Sequence, residues 1–182
     1  MELINNLTRV LHTPEEIAKR VAELGAEISR EYAGRDLVLV SVLKGGVVFL
    51  ADLTRAITIP HAYDMIGASS YGSSTTTSGQ VTITKDVDTN LLNRDVLLIE
   101  DIFDTGHTLR VVCNLLRLHN PRSLEVCALL VKNKKRDHDI PVKFSGFEIP
   151  NEFVVGYGLD YAEHYRNLPC IGILKPEIYN GS

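Results

Sequence analysis

Residues 96–108, Val-Leu-Leu-Ile-Glu-Asp-Ile-Phe-Asp-Thr-Gly-His-Thr, join a buried strand to a helix through an acidic turn. The apolar run Val96–Ile99 is typical of strands that are covered on both faces of a sheet. Asp104 and residues 105–108 then open a helix, and N–H groups at a helix N-terminus form a site for phosphate. Glu100 and Asp101 suit sugar hydroxyls, a divalent cation or a proton in transit. The turn therefore indicates a phosphorylated ribose as the ligand.

Strands and helices alternate on both sides of this stretch. Thr13-Pro14-Glu15-Glu16 predicts the capped start of a first helix, and the first 35 residues are expected to hold this helix alone. Further predicted elements are strands at 37–43, 62–70, 81–85, 96–99, 124–132 and 142–147, and helices at 47–57 and after residue 108. This order predicts an α/β fold, a central parallel sheet flanked by helices, with ligands at the carboxyl ends of the strands.

The rest of the chain shows no internal repeat and no linker. We therefore expect residues 1–182 to form a single domain, with a small hood built from the C-terminal segment. Residues 71–80, mostly glycine, serine and threonine, cannot bury apolar surface and are expected to form a loop between two strands of a hairpin.

Composition excludes several classes of protein. A net charge of −4 argues against a general nucleic-acid binder or a membrane-surface binder, both of which need a basic face. No apolar stretch approaches the roughly 18 residues of a membrane span, and the N-terminus lacks the pattern of a signal peptide. Cys113, Cys127 and Cys170 are far apart in apolar contexts, as expected of free thiols in a reducing cytoplasm. We expect no nucleic-acid partner and no membrane partner.

The acidic turn also resembles motifs of other protein classes. Asp104-Thr105-Gly106 matches the Asp-Thr-Gly of aspartic proteases, but those enzymes need a second copy, which is absent here. Haloacid-type phosphohydrolases need aspartates two residues apart, whereas Asp101 and Asp104 are three apart. Asp and Thr are also ordinary N-caps, so a capped helix without a ligand explains the turn as well when it is taken alone.

Four further segments lie in order along the chain: Ser41-Val42-Leu43-Lys44-Gly45-Gly46, Ala68-Ser69-Ser70-Tyr71-Gly72, Gly146-Phe147-Glu148-Ile149-Pro150 and Phe153-Val154-Val155-Gly156-Tyr157-Gly158-Leu159-Asp160-Tyr161. Together with the acidic turn they resemble the hypoxanthine-guanine branch of the type I phosphoribosyltransferases, from about residue 14 to residue 174. The resemblance implies the type I phosphoribosyltransferase fold and a role in purine salvage.

The implied reaction is transfer of 5-phosphoribosyl from phosphoribosyl pyrophosphate to hypoxanthine or guanine, a 6-oxopurine base. Its products would be IMP or GMP and pyrophosphate, its cofactor Mg²⁺, and its assembly a homodimer or homotetramer. The preference among hypoxanthine, guanine and xanthine stays open, because backbone groups read the position at which xanthine differs. An alternative is a regulator of the same fold that senses phosphoribosyl pyrophosphate or a nucleotide.

The resemblance also assigns roles in the acidic turn. Asp104 is the candidate general base near purine N7, and we expect the helix N-terminus to lower its pKa. Its other plausible role is to hold N7–H and stabilise the cationic sugar. Glu100 and Asp101 would lie over the ribose hydroxyls and help to hold the metal. The 5′-phosphate would be bound by Asp104, Thr105, Gly106, His107 and Thr108, with His107 acting through its backbone N–H.

Outside the turn, Lys44 and Gly45 would bind pyrophosphate, and the family often has a cis peptide bond just before this lysine. Two glycines would equally explain a plain strand-to-helix turn. Asp160 would bind a metal carried by pyrophosphate, and Arg166 would contact pyrophosphate itself. Lys132 would donate to the 6-oxo group and N7 edge of the base, and the plain alternative is a lysine that extends into solvent at a strand end.

The remaining roles concern the base and a loop. Phe153 would stack on the purine, and the backbone of Val154 and Asp160 would read its other edge. Ser70 and Tyr71 begin the loop at 71–80, which would close over the site and exclude water from a cationic sugar. A plain solvent loop fits its composition equally well.

Overall fold

The computed structural model of the chain describes residues 3–70, 81–134 and 140–179. Its strands in chain order are β1 (Leu7–His12), β2 (Leu37–Leu43), β3 (His61–Ser70), β4 (Val81–Lys85), β5 (Asp95–Phe103), β6 (Ser123–Lys132), β7 (Phe144–Ile149), β8 (Val154–Val155) and β9 (Ile171–Leu174). Its helices are α1 (Pro14–Glu31), α2 (Gly46–Ala56), α3 (His107–Leu118) and the single turn α4 (Pro176–Tyr179). Among these helices, none is long and apolar enough to cross a membrane.

The larger sheet contains six of the described strands in the order β4-β3-β2-β5-β6-β7. Its neighbours are parallel except at one edge, where β4 runs antiparallel to β3. The predicted α/β class is confirmed, and the predicted hairpin is the β3–β4 pair. The loop predicted between them, residues 71–80, lies outside the described residues.

Helices cover the larger sheet on both faces because its inner strands contain long apolar runs, such as residues 37–40 of β2 and 96–99 of β5. In β2, Leu37 and Leu39 pack into the core that α1 and α2 complete, whereas Val38 and Val40 pack into the core that α3 completes. All four side chains are fully buried. Successive side chains of a strand point to opposite faces, so an unbroken apolar run supplies both cores.

The first helix begins as its sequence predicts. Thr13 Oγ1 accepts a hydrogen bond from Glu16 N at 3.3 Å, and Glu16 Oε2 accepts one from Thr13 N at 2.9 Å. This reciprocal pair is a complete capping box, with Pro14 at the first helical position.

A second, antiparallel sheet has the order β1-β9-β8 among the described strands. We call this sheet and residues 156–168 the hood. The expectation that the first 35 residues hold only one helix is wrong, because the 3₁₀ turn Leu3–Asn6 and β1 precede α1. The hood is therefore built from both ends of the chain and not from the C-terminal segment alone. Only Leu7 of β1 is buried, so main-chain pairing with β9, and not an apolar pattern of its own, defines this strand.

Candidate active site

The site lies where two neighbouring strands of the larger sheet separate. β5 pairs with β2 only as far as Ile99, opposite Ser41. On its other side β5 stays paired with β6 as far as Phe103, opposite Val131. The segment 100–103 therefore borders a gap on the β2 side at the carboxyl end of the sheet, where α/β proteins bind ligands.

A cavity of about 630 Å³ fills this gap. It joins the turn after β5, the turn after β2 and the hood. The predicted site residues that line it are Lys44, Gly45, Glu100, Asp101, Asp104, Thr105, Gly106, His107, Thr108, Asp160 and Arg166. Segments separated by more than a hundred positions in sequence thus meet in one cleft.

The turn before α3 has the form of an anion site. Gly106 is the N-cap residue with φ of 83°, in the left-handed region that glycine adopts without steric cost. Its carbonyl accepts the hydrogen bond of Arg110 N at 2.9 Å, and the Thr105 hydroxyl accepts one from His107 N at 3.4 Å. The positive end of α3 consequently faces the cavity, as phosphate binding requires.

Glu100 and Asp101 form a pair of carboxyl groups beside this turn, with Asp101 buried and Glu100 half-buried. Burial, with the adjacent charge of Asp101 and a hydrogen bond between the two side chains, raises the pKa of Glu100 well above its ordinary range. Burial also raises the pKa of Asp101, although hydrogen bonds from Glu100 and from the Ile102 backbone N–H oppose the rise. Glu100 Oε2 is buried and has no hydrogen-bond partner among the described residues.

This pair fits a divalent cation that also binds other oxygen ligands. Across the described ranges, no group of three or more His, Cys, Asp and Glu side chains is placed to hold a metal on its own. A cation that takes further ligands from water and substrate needs only one or two carboxylates from the protein, as Mg²⁺ often does. Such a cation would bind the unpartnered Glu100 oxygen and would lower the raised pKa values of both carboxyl groups.

Asp104 is held by two lysines at the end of β6. Its Oδ2 accepts a hydrogen bond from Lys132 Nζ at 2.9 Å, and its Oδ1 forms an ion pair with Lys134. Burial alone would raise the pKa of Asp104, but the hydrogen bonds and charges of Lys134 and Lys132 outweigh it and lower the pKa. The direction agrees with the expectation from sequence, and the two lysines are a cause that the expectation did not include.

Lys132 itself is buried, with a side chain 11% exposed. The alternative reading of a lysine that extends into solvent is therefore wrong. Its ammonium binds Asp104, whose side chain lines the cavity, although Lys132 is not itself among the lining residues.

The turn after β2 brings a cation and a glycine to the cleft. The peptide bond between Leu43 and Lys44 is cis, as the resemblance implied. A Cβ atom at Gly45 would lie 1.7 Å from Asp101 Oδ2, so no other residue fits without moving that carboxylate. From the hood side, a Cβ at Gly158 would lie 2.3 Å from the Gly45 carbonyl oxygen. These two glycines let the turn lie between the acid pair and the hood.

Residues 156–168 of the hood supply charged groups to the far wall of the cavity. Arg166 donates to the Gly158 carbonyl at 2.8 Å and forms ion pairs with Asp160 at 2.9 Å and Glu163 at 3.4 Å. Glu163 also forms an ion pair with Lys44 at 2.9 Å. The two cations predicted to bind pyrophosphate therefore share one carboxylate, that of Glu163.

Some predicted residues lie outside this cavity. The Phe153 ring stacks on Tyr179, with centroids 5.0 Å apart, and it is 38% exposed. Val154 is buried in β8 and pairs with Ile173 of β9. Ser70 ends β3, and Tyr71 lies outside the described residues. Their proposed contacts with the base and the loop remain predictions.

Two charged residues of the site were missed by the sequence reasoning. Glu163 lies midway between Asp160 and Arg166, and charges at intervals of three in a short loop are the signal that could have found it. Lys134 stands in a basic run after β6 that is typical of a solvent-exposed strand end, yet its side chain is 25% exposed and reaches Asp104.

Comparison with known proteins gives consistent results. The family model described as a phosphoribosyl transferase domain matches residues 8–162. A hypoxanthine-guanine phosphoribosyltransferase of Bacillus subtilis (strain 168) is 49% identical over 175 residues, which are 96% of this chain and 97% of the relative. A hypoxanthine phosphoribosyltransferase of Salmonella typhimurium (strain LT2) is 47% identical over 171 residues, 93% of this chain and 96% of the relative.

A crystal structure of a hypoxanthine phosphoribosyltransferase from Staphylococcus aureus superimposes with a TM-score of 0.92 at 47% identity, and the alignment covers 97% of this chain and 96% of that chain. The model match spans far more than half of the chain, and the similarity to the relatives extends over nearly their full length. The chain therefore belongs to the phosphoribosyltransferase family.

Proposed function

We propose that this protein is a purine-salvage enzyme, a hypoxanthine-guanine phosphoribosyltransferase. It transfers 5-phosphoribosyl from phosphoribosyl pyrophosphate to N9 of hypoxanthine or guanine and releases IMP or GMP and pyrophosphate. The observation that carries the proposal is the single cavity that joins the α3 N-terminus, the Glu100–Asp101 pair and the Lys44 turn. Phosphate, ribose and pyrophosphate are the three parts of the donor, and each of these groups suits one of them.

The donor lies across the cavity in this proposal. Its 5′-phosphate accepts hydrogen bonds from the turn at 104–108, where the α3 terminus is positive. Its ribose hydroxyls donate to Glu100 and Asp101, and its pyrophosphate is bound by Lys44 and Arg166. Because Gly45 has no side chain, the Lys44 turn lies directly against Asp101. Ribose and pyrophosphate are thereby held at adjacent positions, as attack at C1′ requires.

The reaction leaves positive charge on the ribose as pyrophosphate departs. Carboxylates that lie near this charge in a site with little water stabilise it strongly. Asp104 is ionised because its lysines lower its pKa. An ionised carboxylate accepts the N7–H hydrogen bond, and it takes the proton as N9 bonds to the sugar and N7–H becomes more acidic.

Lys132 gives the site its preference for 6-oxopurines. An ammonium group donates hydrogen bonds and accepts none, so it favours an oxo group at C6 over the amino group of adenine. In the free protein Lys132 donates to Asp104 at 2.9 Å. Lys132, which reads the purine, and Asp104, the proposed general base, are therefore in contact, and the purine edge lies beside both when it binds.

Mg²⁺ is the cofactor that this proposal assigns, as is general for the family with phosphoribosyl pyrophosphate. Glu100 and Asp101 would hold it on the ribose side and Asp160 on the pyrophosphate side. It would neutralise charge on the leaving pyrophosphate.

The proposal treats residues 1–182 as one phosphoribosyltransferase domain that assembles as a homodimer or homotetramer in the cytoplasm. The three cysteines are unpaired and buried, which suits a reducing compartment. Light scattering after size-exclusion chromatography measures the assembly.

A steady-state assay tests the proposal with phosphoribosyl pyrophosphate, Mg²⁺ and one base at a time: hypoxanthine, guanine, xanthine or adenine. We expect turnover with hypoxanthine and guanine and none with adenine. The rate with xanthine measures whether the backbone groups near C2 of the purine accept the oxo group that xanthine carries there. Binding of phosphoribosyl pyrophosphate without turnover on any base would contradict the proposal and favour a regulator that senses this metabolite.

A further inference from the structure

Asp104 has two cationic partners, although the proposed reaction needs one of them elsewhere. Lys132 holds Oδ2 and Lys134 holds Oδ1, with side chains 11% and 25% exposed. The Asp104 side chain is 38% exposed. Each oxygen of one carboxylate is thus paired with a different ammonium group.

The backbone after β6 explains why both lysines reach the same acid. β6 ends at Lys132, and the chain turns at Asn133, which brings Lys134 to the same carboxylate as Lys132. Lys134 N donates to the Lys132 carbonyl at 3.0 Å, and Asn133 N donates to the Ile149 carbonyl at the end of β7 at 2.9 Å. These two bonds fix the turn between the lysines to the edge of the sheet.

The two lysines differ in what the reaction asks of them. In the proposed function Lys132 turns to the 6-oxo group and N7 edge of the purine, so its hold on Asp104 weakens once the base is bound. The purine also excludes water from the Asp104 carboxylate. A carboxylate that loses water and its counter-charge together takes up a proton. A second cation is needed to prevent this.

We propose that Lys134 is a positioning residue for the transfer reaction: it keeps the Asp104 carboxylate charged and in place while Lys132 contacts the purine. This inference rests on the proposed function. In this inference Lys132 contacts the purine, and Lys134 remains paired with Asp104.

Among the described residues, the other charged groups that line the cavity with Asp104 do not replace Lys134. These groups are Glu100, Asp101, His107, Lys44, Asp160, Glu163 and Arg166. The cations that lower the pKa of Asp104 are Lys134 and Lys132. Once Lys132 has turned to the base, Lys134 is the cation that remains on a carboxyl oxygen.

The pH profile of Lys134→Met tests this role, because methionine keeps an unbranched chain and removes the charge. Loss of the cation raises the pKa of Asp104, so the acid limb moves to higher pH. We expect kcat to fall roughly ten-fold at pH values on that limb for a shift of one unit, and to approach the wild-type plateau at higher pH. The shift is larger in kcat than in kcat/KM, because kcat reports the complex in which Lys132 contacts the base.

Two variants serve as controls for this profile. Lys134→Arg keeps the charge and restores the wild-type acid limb. Lys143→Met removes a lysine that pairs with Glu31 at 2.8 Å, away from the cavity, and leaves the profile unchanged. An unshifted acid limb in Lys134→Met, or an equal loss of kcat at every pH, would overturn the inference.

A second measurement needs no turnover. Nuclear magnetic resonance of the Asp104 carboxyl carbon, in protein labelled at aspartate, follows its titration in the free state. We expect its pKa to stay below the ordinary aspartate value in Lys132→Met and to rise above that of Lys132→Met when Lys134→Met is added. Equal titration of the single and double variants would refute the role of Lys134. Absence of turnover by the wild-type protein would refute the proposed function and leave this titration readable.

Discussion

The two ends of β5 bury acids in opposite ways. At the amino end, Asp95 is 1% exposed, and its carboxylate accepts hydrogen bonds from Arg122 at 3.0 Å and from the Ser123 hydroxyl at 2.7 Å. At the carboxyl end, Glu100 and Asp101 lie against each other, and Glu100 Oε2 has no hydrogen-bond partner among the described residues. One strand therefore carries a satisfied acid at one end and, at the other, a pair in which one oxygen of Glu100 is unsatisfied.

This difference separates a structural acid from a functional one. Buried polar groups are nearly always hydrogen-bonded, so an exception calls for an explanation. Asp95 finds its partners within the fold and stabilises it. The proposed function explains the other end, because ribose hydroxyls and a cation would arrive with the substrate. Asp104 lies between these two cases. Like Asp95 it has partners within the fold, but one of them, Lys132, is expected to turn to the purine when the base binds.

The largest effect should come from Asp104 at the carboxyl end. Asp104→Asn keeps the shape of the side chain and removes its charge, so kcat should fall about 10²-fold or more with hypoxanthine. Steady-state kinetics at saturating phosphoribosyl pyrophosphate measures this. Asp36→Asn is the matched control, because Asp36 also pairs with a basic side chain, Arg94 at 2.7 Å, and lies outside the cavity. Near-normal turnover by Asp104→Asn would show that this acid at the carboxyl end of β5 is not needed for the reaction.

A smaller effect, on binding of the purine base, is expected when Lys132 is replaced. Lys132→Ala removes a charged donor, which should raise KM for hypoxanthine and guanine by about 10- to 100-fold. KM for phosphoribosyl pyrophosphate should change far less, because pyrophosphate is assigned to Lys44 and Arg166. Separate KM determinations for base and donor measure the split. Unchanged kinetics with both bases would show that another group reads the 6-oxo position.

At the amino end the expected effect is on stability. Asp95→Ala deletes the acceptor of two hydrogen bonds in a buried site and should lower the free energy of unfolding by about 2 kcal/mol. Dissociation constants for phosphoribosyl pyrophosphate should stay at the wild-type value. Urea unfolding and calorimetric titration measure the two quantities.

The matched control at this end is Asp36→Ala, which breaks the exposed ion pair with Arg94 and should cost less stability than Asp95→Ala. If Asp95→Ala weakened donor binding and left the free energy of unfolding unchanged, Asp95 would have a functional role and not a structural one.

Sequence patterns predicted the functional end of β5 better than the structural end. The apolar run, the acids and the turn before α3 are contiguous, so local rules for strands and helix termini identify them. The partners of Asp95 come from the start of β6, about 28 residues away, and no local pattern joins them. Likewise β1 depends on pairing with β9 at the far end of the chain, and its own side chains are mostly exposed.

Local sequence patterns also fail to predict some of the side-chain contacts within the site. The carboxyl ends of parallel strands meet at one edge, so Lys44, Asp104 and Lys132 could be expected near each other. That Lys134 binds Asp104, and Glu163 binds Lys44, depends on turns whose course follows from tertiary contacts. Glu163 has φ of 67°, in a hood loop where several residues other than glycine also adopt the left-handed region. No residue-type preference predicts such a loop.

The smallest expected effect concerns Glu163, an acid that has partners yet lies in the functional cleft. Its ion pairs with Lys44 and Arg166 occupy both cations proposed to bind pyrophosphate. The donor must therefore displace this carboxylate, and Glu163→Gln should lower KM for phosphoribosyl pyrophosphate by about two- to five-fold, the range of an exposed ion pair. Steady-state kinetics with varied donor measures the change, and KM for the base should stay constant.

The control for Glu163 is Glu152→Gln, which removes an exposed carboxylate near the hood without touching the cavity lining. It should leave KM for the donor unchanged. A higher KM in Glu163→Gln would mean that Glu163 positions Lys44 and Arg166 for pyrophosphate. In that case an acid with ion-pair partners at the carboxyl edge would serve function as directly as Glu100, whose Oε2 has no partner among the described residues.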